Sequence, residues 1–255
     1  MMDNYSFEKV FDMTGKVVLV TGGAMGIGNA IANAFAQRGA RLALADLSPT
    51  VSEAAARLPG KGHFSIVADI SVPGEADRVV AAVVEELGGI DVLVNNAGVA
   101  MLDSAEKLTD EMWDRTIAVN LSAPFRMARA AFQALKKSGS GRIVNIASQA
   151  ASIALDKHVA YCTSKAGVLG LTRVLAAEWA QYGITVASIS PTVVETELGR
   201  RAWAGEVGAA MKRKIPTGRF AQPEEIALAA LYLASGAAGM ITGADLMIDG
   251  GYTMV

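Results

Sequence analysis

At 255 residues, with 23 basic and 25 acidic side chains, the chain is almost neutral, and it has no block of five or six like charges. That excludes an electrostatic surface for nucleic acid and makes small molecules the expected partners. Cys162 is the only cysteine and there are two histidines, so an internal disulfide, a CxxC site and a catalytic zinc all lack ligands, and no metal is expected.

The N-terminus, MMDNYSFEKVFDMTGK, has neither the basic start nor the apolar stretch of an export signal. A reducing, cytoplasmic setting is the expectation. The longest uncharged stretch, Ile226 to Ile241, is interrupted by small and polar residues. It falls short of the roughly 18 apolar residues of a membrane span and reads as a buried helix with its exit loop.

In chain order, short apolar runs at 17–20, 41–46, 64–69, 90–96, 142–148, 185–191 and 244–250 read as seven strands. Helical periodicity fills Gly28 to Arg38, Glu75 to Leu87, Asp110 to Lys136, Tyr161 to Tyr182 and Pro223 to Ala234. Strand then helix, repeated, predicts an α/β fold: one Rossmann-like, doubly wound seven-stranded parallel sheet with helices on both faces. No linker or composition break divides residues 1–255, so one domain is expected. About 193–217, charged and Gly-rich with a lone Trp203, has no clear element and reads as a substrate lid. His63 is assigned to a solvated loop.

Thr21-Gly22-Gly23-Ala24-Met25-Gly26-Ile27-Gly28 directly follows the first strand and opens the first helix. Glycines there serve a tight turn, close approach of backbone to a pyrophosphate, and close helix–sheet packing. Asp46 ends the second strand, where a carboxylate accepts bonds from ribose hydroxyls and repels a 2′-phosphate; NAD is therefore expected over NADP. Asp69, ending the third strand, suits either an adenine amino group or a capped turn with Ser71.

Tyr161 and Lys165 lie four apart, on one helix face. A free tyrosine has a pKa of about 10, and a neighbouring ammonium favours its phenolate; Lys165 is expected to supply a permanent charge. Ser148 ends the fifth strand, where sheet ends line the ligand crevice. Asn120 sits in an apolar helical stretch with no reason in folding alone, which suits a polar relay.

These residues resemble the classical short-chain dehydrogenases/reductases over nearly the whole chain. TGGAMGIG is similar to the family's nucleotide loop and Asn95-Asn96-Ala97-Gly98 to its motif after the fourth strand. Asn120, Ser148, Tyr161 and Lys165 match its four catalytic positions. The resemblance implies that Tyr161 is the general acid/base, Lys165 lowers its pKa and binds the nicotinamide ribose, Ser148 orients the substrate oxygen, and Asn120 holds a water joining Lys165 to solvent. It implies cofactor contacts at Gly22, Met25, Gly26, Ile27, Gly28, Asp46, Leu47, Asp69, Ile70, Asn96, Ala97, Gly98, Tyr161, Lys165, Pro191, Val194 and Thr196, and a homotetramer paired through helices 110–136 and 161–182.

One departure is Pro191-Thr192, where the family usually has Pro-Gly. With the Ser148-Gln149 pair and the stretch PTVVETELGRRAW, it resembles the branch of L-xylulose reductases and polyol dehydrogenases. That implies oxidation of threitol, galactitol or a pentitol to a ketose, with Ser148, Gln149, His158, Tyr161 and Trp203 around the substrate. Gln149 equally suits a turn cap, His158 an exposed position before the helix, and Trp203 lid packing. Two alternatives remain open: reduction of a 3-oxoacyl thioester, diketone or steroid, and a non-enzymatic NAD-binding protein.

Overall fold

A computed structural model describes residues 6–254. Seven strands form one parallel sheet in the order β3-β2-β1-β4-β5-β6-β7. They are β1 (Val17–Thr21), β2 (Arg41–Asp46), β3 (Phe64–Val67), β4 (Val92–Asn95), β5 (Arg142–Ile146), β6 (Thr185–Pro191) and β7 (Asp245–Ile248). The helices are α1 (Phe7–Val10), α2 (Gly26–Gln37), α3 (Val51–Ala56), α4 (Glu75–Leu87), α5 (Asp110–Ile117), α6 (Ala123–Ser138), α7 (Val159–Trp179), α8 (Glu197–Ala202), α9 (Gly205–Lys214) and α10 (Pro223–Ala234). The order reverses between β1 and β4, so the crevice for a ligand opens at their C-terminal ends.

Neighbouring residues of one strand feed opposite cores, because side chains alternate across a sheet. Val18, Val20, Leu42, Leu44, Val144 and Ile146 pack with α2, α3 and α10 on one face. Val17, Leu19, Ala43, Ala45, Leu93 and Ile143 pack with α4, α6 and the C-terminal part of α7 on the other. Burial on both faces is why the strands read as continuous apolar runs rather than as alternation. Among the described residues no helix is long and apolar enough to cross a membrane.

The expected helix from Asp110 to Lys136 is in fact α5 and α6 joined by a π-helical turn, Ala118–Ser122, a local widening that periodicity alone does not reveal. The helix expected over 161–182 starts at Val159 and ends in a 3-10 turn, Ala180–Tyr182. The segment about 193–217 carries α8 and α9, whose apolar residues are too few and too diluted by charge to show as a stripe in the sequence. His63 lies in the loop before β3, half-buried. Its Nδ1 accepts the Leu42 N–H at 3.1 Å while Nε2 lies 3.0 Å from the Pro59 carbonyl, so the ring satisfies a backbone donor at the edge of β2.

At the opposite end of the sheet from the crevice, Asp91 fastens three elements. Its carboxylate accepts from the Val17 N–H at 2.9 Å, from Lys16 Nζ at 3.1 Å and from the Ser138 hydroxyl. Burial pushes this carboxyl up, but the hydrogen bonds from Ser138, Val17 and Lys16 outweigh it and hold the group below its usual value. A depressed folded pKa means that the stabilisation is present above the unfolded value and is lost as pH falls through the folded one. Asp91→Asn should therefore lower the unfolding free energy by roughly 1–3 kcal/mol at pH 6, and urea melts should show the gap to wild type closing below about pH 4.

Candidate active site

The loop after β1 is locked to the loop after β4 by side chains that satisfy backbone groups. Thr21 Oγ1 accepts the N–H groups of Asn96 and Ala97 at 3.1 and 3.2 Å. Asn96 Nδ2 returns bonds to the carbonyls of Thr21 and Gly22, both at 3.0 Å. A Cβ on Gly28 would lie 2.1 Å from the Gly22 carbonyl oxygen, so this glycine lets α2 seat against the loop. Gly26 adopts φ +57°, and a Cβ there would face Thr196 at 3.4 Å.

The first turn of α2 has no side-chain cap, since its N-cap is Met25. Its N–H groups are therefore suited to an anion lying between Gly26 and Thr196, as a dinucleotide pyrophosphate requires. Ile27 and Gly28 belong to that turn, and Ala97 and Gly98 close the crevice from the β4 side.

Asp46 and Asp69 mark the far end. The Asp46 carboxylate accepts the N–H groups of Ala24 and Ser48, each at 2.9 Å, so it also shapes the glycine loop; Leu47 beside it is exposed. Asp69 accepts from the Ser71 N–H at 3.0 Å, from the Ser71 hydroxyl at 2.6 Å and from Arg115 at 3.1 Å. Burial raises the Asp69 carboxyl, but Ser71 and Arg115 prevail and hold it low, as an anion. Ile70 is buried beneath it. Nothing in the spacing of the sequence pointed to Arg115, and Thr21 showed only as the first residue of the glycine loop.

The catalytic candidates meet where β5 ends against α7. Ser148 caps the 3-10 turn Gln149–Ala151, its Oγ accepting the Ala150 N–H at 3.2 Å. Tyr161 and Lys165 stand one turn apart on α7, with Lys165 Nζ 5.7 Å from the tyrosine ring centroid. Nζ donates to the Ile146 carbonyl at 2.7 Å and is buried. Burial lowers the Lys165 ammonium to about 8, so the charge expected to be permanent is held at neutral pH and lost above it. Burial raises the Tyr161 phenol, while a hydrogen bond with Ser148 acts in the opposite sense.

Asn120 lies in the π-helical turn and does have a reason in folding. Its Oδ1 accepts the Val99 N–H and its Nδ2 donates to the Val99 carbonyl, both at 2.8 Å, and Nδ2 also donates to Ser164 Oγ at 3.1 Å. The amide imitates a backbone neighbour for Val99 and ties the loop after β4 to α7. A Cβ on Gly98 would lie 3.4 Å from Asn120 Oδ1 and 3.6 Å from Lys165 Nζ, which joins the cofactor side of the crevice to the catalytic side.

Of the residues expected around a substrate, Gln149 is buried, with Oε1 lacking a hydrogen-bond partner among the described residues. His158 sets its ring edge-on to Tyr161, centroids 6.0 Å apart. Its Nδ1 is bonded to the Asp156 carbonyl. Trp203 packs on Phe220 at 6.1 Å in a small cluster with Val193, Met211, Ile215 and Tyr252. Pro191 ends β6, Val194 bridges to Ala221, and Thr196 caps α8 by accepting the Gly199 N–H at 3.0 Å.

A lysine whose folded pKa is depressed costs stability below that pKa and regains it as pH rises toward the unfolded value. Here the window runs from about 8 to 10.5. Lys165→Met should therefore gain relative to wild type at neutral pH. Urea unfolding at pH 7 and pH 9.5 should show the difference moving in favour of wild type by about 2 kcal/mol at the higher pH; a difference independent of pH would contradict the buried-ammonium account.

A family model described as enoyl-(acyl carrier protein) reductase matches residues 22–253. The chain is 55% identical to D-threitol dehydrogenase of Mycolicibacterium smegmatis, over 96% of this chain and 95% of that protein. It is 50% identical to an NAD-dependent glycerol dehydrogenase of Listeria innocua, over 97% and 98%. Among solved structures, aldohexose dehydrogenase of Thermoplasma acidophilum superposes with a TM-score of 0.87 at 32% identity, covering 95% of this chain and 96% of that one. With the glycine loop, the locked Asn96 turn and the Ser148–Tyr161–Lys165 group in place, the chain belongs to the short-chain dehydrogenase/reductase family.

Proposed function

We propose that the protein is an NAD-dependent dehydrogenase that oxidises a secondary alcohol of a polyol such as threitol, galactitol or a pentitol to a ketose. The observation that carries this reading is the convergence of Ser148, Tyr161 and Lys165 at the end of β5, beside a crevice that fits a dinucleotide. Similarity to threitol and glycerol dehydrogenases supports the polyol class. Asp46 supports NAD, since its carboxylate stands at the end of β2, where a 2′-phosphate would meet it.

When bound, the nicotinamide supplies a hydride acceptor for the alcohol carbon. Tyr161 takes the hydroxyl proton, so it acts as a base and must first be the phenolate. The ammonium of Lys165 favours that phenolate, and the Ser148 hydroxyl bonds the reacting oxygen and sets its distance from Tyr161. Asn120 holds the floor of the site through Val99 and Ser164. Gln149 Oε1 and the His158 ring offer further acceptors for a polyol's neighbouring hydroxyls, and Trp203 forms a wall on the segment about 193–217, which serves as the lid. Cofactor and catalytic groups share one domain.

Reduction of an acyl thioester is less well supported. A basic approach for a phosphorylated carrier would draw on Lys212-Arg213-Lys214, but Lys212 is held by Glu195 at 3.0 Å and lies over the Phe220 ring. Exposed apolar side chains on the helices expected to pair between subunits, Trp113, Phe125, Val159 and Val174, support a homotetramer. The near-neutral composition and single cysteine support a cytoplasmic protein.

Because burial raises the phenol and the ammonium that favours its phenolate is lost around pH 8, oxidation should accelerate from pH 6 to 8 and level off above it, with the reverse reaction favoured at lower pH. Tyr161→Phe should lose about 10²–10⁴-fold in kcat and flatten the pH profile. A panel of polyols assayed with NAD and with NADP should show turnover with NAD, and Asp46→Ser should narrow the preference. Preference for NADP in the unmodified protein, or absence of turnover with every polyol, would overturn the assignment.

A further inference from the structure

The turn from Ala68 to Val72, just past β3, carries Asp69 and Ile70, both assigned to the adenine end of the cofactor crevice. Two guanidinium groups grip it from the same helical element. Arg115, near the end of α5, donates from Nη1 to Asp69 Oδ2 at 3.1 Å and to Ser71 Oγ at 2.6 Å. Arg126, near the start of α6, donates to the Ser71 carbonyl at 2.7 Å. The two arginines flank the π-helical turn that holds Asn120.

A carboxylate offers about four lone-pair sites. At Asp69 the Ser71 N–H and O–H take two on Oδ1, and Arg115 takes one on Oδ2. Bonds to both oxygens fix the plane of the group, leaving one acceptor direction on Oδ2, and the side chain keeps 30% of its surface exposed. An isolated, partly exposed ion pair contributes little. Here, however, Arg115 bridges the carboxylate and the hydroxyl that also binds it, while Arg126 fixes the backbone carbonyl of the same residue. Such convergence serves orientation more than stability.

We infer that Arg115, assisted by Arg126, is a positioning residue for the adenine end: it orients Asp69 so that Oδ2 accepts the 6-amino group of a bound adenine. This rests on the dehydrogenase reading above, because it supposes a dinucleotide in the crevice. Neither arginine touches the reacting atoms, so the effect belongs to binding of the adenosine half.

Calorimetric titration of the intact protein with ADP-ribose and, separately, with nicotinamide mononucleotide tests this. Arg115→Met should weaken ADP-ribose by about ten-fold, the loss of one hydrogen bond to a charged acceptor, and leave nicotinamide mononucleotide within two-fold; Arg115→Lys should recover part of the loss. Arg126→Met should act in the same direction more weakly, and it stands in if Arg115→Met fails to fold. Equal weakening of both ligands would show a general structural role and overturn the inference. So would unchanged ADP-ribose affinity in Arg115→Met when Asp69→Ala loses it. If wild type binds neither ligand, or Asp69→Ala leaves ADP-ribose unaffected, it is instead the underlying cofactor reading or the role of Asp69 that fails.

Discussion

An ammonium buried beneath the crevice constrains the rest of the molecule. Lys165 is withdrawn from water and donates to the Ile146 carbonyl at the end of β5, an arrangement that costs on the order of 3 kcal/mol at neutral pH by the depression of its pKa. Nothing in folding rewards this burial. On the proposed function the return is chemical, since a charge in a dry place acts on a neighbouring phenol far more strongly than a surface lysine could. The cost also explains why Lys165 sits within α7, the longest helix among the described residues, rather than on a loop.

A frame that can hold such a group needs strand ends that do not drift, and side-chain amides and hydroxyls provide it. Asn95 Nδ2 donates to Asn145 Oδ1 at 2.9 Å, and Asn145 Nδ2 donates to Thr172 Oγ1 at 2.9 Å, running a buried polar line from β4 through β5 to α7. Thr21 and Asn96 lock β1 to the loop after β4, and Asn120 locks that loop to Ser164 beside Lys165. Each bridge satisfies backbone or side-chain groups that a strand end would otherwise leave bare. The glycines belong to the same logic. Gly22 and Gly28 are small because α2 and the 95–98 loop must nearly touch, and that contact brings the cofactor side within reach of the catalytic side.

How much of this was legible depended on which physical signal each residue carries. Seven strands in one parallel sheet followed from apolar runs separated by amphipathic helices, since double burial leaves a strong trace in composition, whereas the strand order came only from the fold. The glycine loop, Asp46 and the Ser148–Tyr161–Lys165 spacing were readable because their positions relative to strand ends are set by chain geometry. The widening at Ala118–Ser122 was not, because a π turn needs no distinctive residue, and with it went the true partner of Asn120. The sign of the pKa effects was also out of reach: a lysine beside a tyrosine reads as a fixed charge until its burial is known. Arg115 and Arg126 look like ordinary helix-surface residues, and only the folded chain shows that their heads meet at one turn.

The two walls of the crevice are held by different physics. On the cofactor wall, Asp46 serves two ends at once, since the carboxylate that would meet a ribose also bonds the N–H groups of Ala24 and Ser48. Removing it to admit a phosphate therefore loosens the glycine loop as well, and recognition on this wall is tied to the stability of the frame. On the proposed substrate wall, residues after β6 are attached by the short Val194–Ala221 bridge, the partly exposed Glu195–Lys212 pair and a small apolar cluster around Phe220. Such contacts are individually weak, and a screened ion pair of this kind contributes about 0–1 kcal/mol, so rearranging this wall costs little next to disturbing the other. A dehydrogenase must hold its dinucleotide in one geometry while admitting and releasing its substrate, and this division places the rigidity and the compliance on opposite sides of Tyr161.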